Sequence, residues 1–190
     1  MKDQISQHLR AVESAFRNVE LIQRIADRTI ACLESGGRIY LIGNGGSAAD
    51  AQHVAAELVG RFKRNRRALP AMALTTDASI LTAVSNDIGF EQVFERQIEA
   101  LVTDRDVVWA LSVSGTSVNI VRGLEAARKK KAATIGFTGG GENSFDRLCD
   151  LCFRVDHKSS DRVQEVHQLA YHLICDAVES HFAEPHSAGK

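Results

Sequence analysis

The chain has 190 residues, 44% of them hydrophobic and 25% charged, with a formal net charge of −1. That length suits one domain, residues 1–190, with room for a substantial core, and the near-neutral charge gives no strong field for nucleic acid or an anionic membrane. No apolar run approaches the roughly 20 residues that span a bilayer, and the polar start MKDQISQHLRAVESAF lacks the layout of a signal peptide, so the expectation is a cytoplasmic protein.

In chain order, residues 4–34 repeat Ile5, Leu9, Val12, Phe16, Val19, Ile22, Ile25 and Ile30 at three- and four-residue steps. This predicts one long N-terminal helix, within an extension of residues 1–35, that Gly36 and Gly37 end. Residues 38–42 are a nearly continuous apolar run, as in a strand buried on both faces. A helix over 46–61 follows, then a strand over 70–75 and helices over 78–86 and 90–102. A strand at 106–112, a helix at 117–130 and strands at 132–138 and 151–155 come next. A helix over 161–183 closes the chain, and residues 184–190 read as a frayed tail. Strands alternating with helices imply parallel βαβ units, hence an α/β three-layer sandwich with a five-stranded parallel sheet. Ligands of such sheets bind beyond the carboxyl ends of the strands, which selects residues 43–47, 112–117 and 138–142.

Residues 43–48, Gly-Asn-Gly-Gly-Ser-Ala, match a form of the dinucleotide fingerprint. The acidic residue that should follow about 20 positions on is missing, because that distance falls in the basic run 63–67. A nicotinamide cofactor is therefore disfavoured, although the glycines still let backbone N–H groups approach an anion or hydroxyl closely. Five of the six residues from 112 to 117 are Ser, Thr or Gly, between a strand and a helix. Such hydroxyls can surround a phosphate with helix amides behind them, or they can simply cap the helix. No lysine follows as in a nucleoside triphosphate loop.

His53 and Glu57 stand four apart on one helix face. That spacing can serve a metal, a base beside its acid partner, or a solvated pair, but the neighbours Ala51, Val54, Ala55, Ala56, Leu58 and Val59 make the helix unusually apolar for a charge. On the last helix Gln164, Gln168 and His172 fall within about 80° of one another. Gln164 and His172 are about 12 Å apart along the axis, so their ligand lies on the helix flank or they serve sites in different subunits. His167 points elsewhere, as a packing or surface histidine. Cys149 and Cys152 have CxxC spacing without a second Cys/His pair, and with Cys32 and Cys175 they read as structural thiols. The basic runs 63–67 and 128–131 read as a solvated loop and a helix end rather than a nucleic-acid surface.

Taken together, residues 43–50, His53-x3-Glu57-Leu-x-Gly60-Arg61, Ser85-Asn86-Asp87, residues 112–117 and Arg162-x-Gln164-Glu165-x-His167-x4-His172 resemble the phosphoheptose isomerases of the sugar-isomerase (SIS) fold over nearly the whole chain. The resemblance implies a flavodoxin-like SIS domain that interconverts sedoheptulose 7-phosphate and D-glycero-D-manno-heptose 7-phosphate through an enediol, at the start of ADP- or GDP-heptose precursor synthesis. It implies that Asn44, Gly45 and Gly46 contact the sugar, and that Asn86 and Asp87 bind substrate. Ser112, Ser114 and Ser117 would hold the phosphate, with Val113 where the family usually has threonine. It further implies one zinc per subunit on His53, Glu57, Gln164 and His172, with Glu57 and His172 the acid–base pair and Glu57 and Gln164 also touching substrate. Homotetramers with sites near subunit contacts follow from the same resemblance. A related non-enzymatic adaptor that binds the replication initiator is the alternative; such proteins typically lack counterparts of Glu57 and His172, and this chain has both.

Overall fold

Five strands form among the described residues, β1 (Ile39–Gly43), β2 (Ala71–Ala73), β3 (Val107–Ser112), β4 (Ala133–Gly139) and β5 (Leu151–Val155). They are seen in a computed structural model that describes residues 1–141 and 143–183. All pairings are parallel, in the order β2-β1-β3-β4-β5, which is the flavodoxin-like order. The central strands β1, β3 and β4 are buried at every position, whereas the edge strands are partly exposed. That burial explains why the central strands read as continuous apolar runs rather than as alternating patterns.

Eight helices accompany them among the described residues: α1 (Lys2–Arg17), α2 (Val19–Glu34), α3 (Gly46–Val59), α4 (Ala78–Asp87), α5 (Val93–Leu101), α6 (Val118–Lys129), α7 (Phe145–Leu148) and α8 (Ser160–Phe182). Alternate strand residues face two separate cores. Ile39, Leu41, Trp109 and Phe137 join α2, α3 and α8 on one face. Tyr40, Ile42, Val108 and Ala110 join α5 and α6 on the other. Thus α3 leaves β1 toward one face and α6 leaves β3 toward the other. The crevice between the carboxyl ends of β1 and β3 is the switch point where such sheets bind ligands.

Local differences from the sequence expectation have physical causes. The long N-terminal helix is two helices, interrupted at Asn18 (φ −107°, ψ 19°), whose N–H bonds to Ala15 O; asparagine offers the backbone such non-helical alternatives. Among the described side chains of α1 the small residues Ala11 and Ala15 are the buried ones, while Ile5, Leu9 and Phe16 are 60%, 62% and 83% exposed. The expected helix 90–102 opens with a 3-10 turn, Phe90–Gln92. The expected tail 184–190 and Glu142 lie outside the described residues.

Candidate active site

The strand-end loops gather around a cavity of about 580 Å³, lined by Asn44, Gly46 and Ser47 after β1, by Ser112, Val113, Ser114 and Ser117 after β3, and by Gly140 after β4. His157, Lys158 and Ser160, after β5, and Gln164 of α8 complete the wall. Three helices begin here, α3, α6 and α8, and none has a side-chain hydrogen bond at its N-cap. The first N–H groups of a helix have no partner within it and carry partial positive charge, so three helix starts present donors to one space. This is a setting for an anion.

The serine loop adds hydroxyl donors. Ser112 Oγ accepts from Gly115 N (3.2 Å), and Ser114 Oγ accepts from Thr116 N (3.3 Å) and Thr116 Oγ1 (3.1 Å). Those acceptances leave the Ser112 and Ser114 O–H groups free to donate. Across the crevice Asn44 and Asn119 exchange two amide hydrogen bonds of 2.8 Å, which fix the glycine turn to the start of α6. Gly45 holds φ at +53°, a left-handed conformation that favours glycine. A Cβ on Gly46 would lie 2.6 Å from Gln164 Oε1, so a larger residue there would displace that amide from its present place. Among the described residues Lys158 has no ion-pair partner, and none of those that line the cavity carries a carboxylate.

A second cluster lies on α3 and α8. Glu57 Oε1 is 3.0 Å from His53 Nε2 and 3.5 Å from His172 Nε2. The ligand atoms of the three residues lie within 4.8 Å of one another. Glu57 is buried, and its Oε2 has no nitrogen or oxygen partner, only the buried Cys175 thiol beside the carboxylate, although a buried carboxylate oxygen normally needs a stronger donor. Tyr171 O–H donates to Asp50 Oδ1 (3.3 Å), and His53 Nδ1 stands 3.3 Å from the same hydroxyl. With that hydroxyl proton spent on Asp50, a His53 ring protonated on Nδ1 would turn a lone pair on Nε2 toward Glu57, 3.0 Å away, an arrangement that is favourable only with a cation between the two acceptors. Two imidazole nitrogens and a carboxylate then converge as acceptors, the donor set of an open zinc site. The residues therefore fit a divalent cation.

The two regions are linked by Gln164, whose Nε2 donates to Asp50 Oδ2 at 2.9 Å. Burial raises the Asp50 carboxyl above its usual range despite the bonds from Gln164 and Tyr171. Burial and the adjacent Asp50 push the Tyr171 hydroxyl up as well. Of the four expected metal ligands, the structure brings three together and sets Gln164 on the cavity wall beside Asp50. Asn86 and Asp87 stand apart at the exposed end of α4, hydrogen-bonded to each other at 2.7 Å and not among the cavity-lining residues.

Other singled-out residues are structural here. His167 is fully buried among Phe137 and Phe153 and donates from Nε2 to Thr138 O (3.2 Å); burial pushes it down to about 4. Arg162 and Glu165 tie α8 to Gln4 and His8 of α1. The Cys149 thiol is raised by its hydrogen bond with Cys152 and by burial, against a thiolate role. Sequence reasoning missed Asp50, Asn119, Lys158 and Tyr171. The strand-end rule applied to β5 as well would have found Lys158; nothing local marked the other three.

The sequence family described as SIS domain matches residues 2–139. The chain is 50% identical over 159 residues to a phosphoheptose isomerase of Roseiflexus sp. (strain RS-1), covering 84% of this chain and 81% of that one. It is 42% identical over 184 residues to a phosphoheptose isomerase of Helicobacter hepaticus, covering 97% and 94%. Among solved structures, a phosphoheptose isomerase from Neisseria gonorrhoeae superposes with a TM-score of 0.88 at 38% identity, over 94% of this chain and 96% of that one.

Proposed function

The chain belongs to the SIS-domain phosphoheptose isomerases, and from that premise we propose how its residues divide the work. As a phosphoheptose isomerase it interconverts the 2-ketose sedoheptulose 7-phosphate and a heptose 7-phosphate aldose. The reaction moves one proton between C1 and C2 and a second between the two oxygens. We assign the carbon proton to Glu57, which takes it from C1 and returns it to C2, and the oxygen protons to His172. The observation that carries this assignment is the buried Oε2 of Glu57, with no nitrogen or oxygen partner, on a carboxylate flanked by two imidazoles. An oxygen with no strong donor on it is open to accept a proton from carbon.

The phosphate belongs in the cavity with Ser112, Ser114 and Ser117, where the three helix starts supply remote binding energy that orients the reacting carbons. Val113 lines the same cavity and contributes backbone in place of a hydroxyl. Asn44, Gly45, Gly46 and Gln164 form the sugar-facing wall. His53, Glu57 and His172 would hold a zinc ion, one per subunit, with Gln164 a fourth ligand only through release of its bond to Asp50; coordination lowers the basicity of a carboxylate, so Glu57 would be free of the ion when it takes the carbon proton. When bound, such an ion supplies a Lewis acid for the carbonyl.

We further propose a homotetramer. The exposed apolar stripe Ile5, Leu9 and Phe16 on α1 supports it, as does α4, which buries none of its residues within one chain. In that assembly Asn86 and Asp87 contact substrate held by another subunit. No helix among the described residues is long and apolar enough to cross a membrane, which agrees with a cytoplasmic enzyme supplying heptose for ADP- or GDP-linked precursors. The test is incubation with sedoheptulose 7-phosphate, with and without a chelator, followed by detection of aldose product. Turnover that falls on chelation and returns with zinc is expected. No product under any metal condition would favour a non-catalytic adaptor.

A further inference from the structure

Residues 60–67 follow the helix that carries Glu57. Residues 63–67 read in sequence as a solvated basic loop, yet the Arg66 side chain is buried there against Glu179 of α8. The side chains of Arg66 and Glu179 are each 1% exposed, with Nε and Oε1 3.5 Å apart. Glu179, on α8, accepts from three successive backbone N–H groups, those of Phe62 (2.7 Å), Lys63 and Arg64 (2.8 Å). Arg66 spreads its guanidinium over three carbonyls, Glu57 O (2.6 Å), Gly60 O (3.0 Å) and Arg67 O (3.0 Å). The last carbonyls of a helix lack partners within it, so Arg66 fixes the end of α3 at the residue that bears the carboxylate.

The same loop reaches the other half of the pair. With its N–H held by Glu179, Phe62 lays its ring parallel to that of His172, at 5.5 Å between centroids and 10° between planes. Glu179 and His172 are seven residues apart on α8, two turns along one face. The contacts close a circuit in which α8 holds the loop through Glu179, and the loop holds both the His172 ring and the end of α3. A buried ion pair adds little net stability over an apolar replacement, because desolvation offsets the attraction. A role in placing groups accounts better for burying this one.

We propose that the Glu179–Arg66 clamp, with Phe62, is a positioning device that sets Glu57 and His172 against each other. Arg66 acts through the backbone of Glu57, and Phe62 acts through the face of the His172 ring. The inference rests on Glu57 and His172 being the acid–base pair. None of Phe62, Arg66 and Glu179 lines the cavity assigned to the phosphate, so the clamp affects turnover and leaves substrate capture alone.

The experiment compares Phe62→Leu, Phe62→Tyr and Arg66→Lys with the parent chain, each zinc-loaded and with kcat expressed per folded protein from circular dichroism. Leucine keeps bulk without a flat face, tyrosine keeps the face, and lysine keeps the charge without the fork. Phe62→Leu and Arg66→Lys are expected to lose roughly ten- to a hundredfold in kcat, with KM for sedoheptulose 7-phosphate within about twofold, while Phe62→Tyr retains parental kcat. A Phe62→Leu enzyme with kcat within about twofold of the parent overturns the proposal, as does a loss that appears in KM instead. Glu57→Gln and His172→Gln are assayed alongside. If those two keep turnover, the acid–base assignment falls and the positioning role with it; if they lose turnover while Phe62→Leu and Arg66→Lys do not, only the positioning role falls.

Discussion

The cavity at the strand ends and the histidine–glutamate cluster are joined by a chain of three hydrogen bonds, Gln164 to Asp50, Asp50 to Tyr171 and Tyr171 to His53, yet they are built on opposite plans. The cavity is made of chain ends, with three helix starts and a run of hydroxyls on loops. Its donors are spread over many groups, so no single side chain carries it. The cluster is made of three side chains from helix interiors, on α3 and α8, and each is set by packing that lies outside its own segment. The proposed function thus puts recognition on distributed groups and chemistry on concentrated ones, and single substitutions should separate the two.

The largest effect is expected at the cluster. Glu57→Gln keeps size and folding but cannot accept a proton, and should lower kcat roughly a hundred- to ten-thousand-fold, measured as aldose formed from sedoheptulose 7-phosphate. His172→Gln should fall at the lower end of that range, because solvent can also carry protons between oxygens. In both, KM should move little. Loss of affinity as large as the loss of turnover would erase the division between the two regions.

The cavity should respond in the opposite sense. Ser112→Ala and Ser114→Ala each remove one donor among several, so each is expected to raise KM about tenfold, equivalent to ~1.4 kcal/mol, with kcat nearly unchanged. The double substitution should add more, and inorganic phosphate should lose potency as a competitive inhibitor by the same factor. Unchanged KM in both single variants would reduce the serines to helix caps and leave phosphate binding to the amides alone.

The smallest effect concerns the frame behind both regions. His167 is neutral in its fully buried site, where burial pushes it from 6.5 down to about 4. Its folded form therefore takes up a proton at lower pH than its unfolded form. The stability tied to its neutral state is present above pH 6.5 and is lost as pH falls from 6.5 through about 4, up to roughly 3 kcal/mol. Denaturant melts across that window should show a shallower acid dependence in His167→Gln than in the parent, with activity near neutral pH retained. An identical slope would assign the acid sensitivity to other groups.

The ease of reading these parts from sequence followed the same division. The sheet was legible because β1, β3 and β4 are buried on both faces and so write continuous apolar runs. The serine loop and glycine turn were legible because backbone-donor sites depend on local composition. The cluster was only half legible. His53 and Glu57 share a helix face, but their approach to His172 depends on how α3 lies against α8, which no local pattern encodes. The same holds for Asp50 and Tyr171, 121 positions apart. Residues 63–67 misled for a related reason, since the acidic partners that bury Arg66 and engage Arg64 lie on α8, at Glu179 and Asp176. The break at Asn18 stayed hidden because apolar periodicity continues across it.

The amide pair between Asn44 and Asn119 has a consequence for how the protein ages. Asn44 precedes Gly45, and in such a dipeptide the glycine nitrogen readily attacks the side-chain amide, expelling ammonia and leaving aspartate or isoaspartate. Here both the nitrogen and the oxygen of that amide are engaged by Asn119 at 2.8 Å, which holds it away from the attacking nitrogen. The contact that shapes the pocket thereby also slows its chemical decay. Once that hold is lost, deamidation would place a negative charge on the wall of a cavity suited to anions, and the enzyme would lose its substrate before it lost its fold.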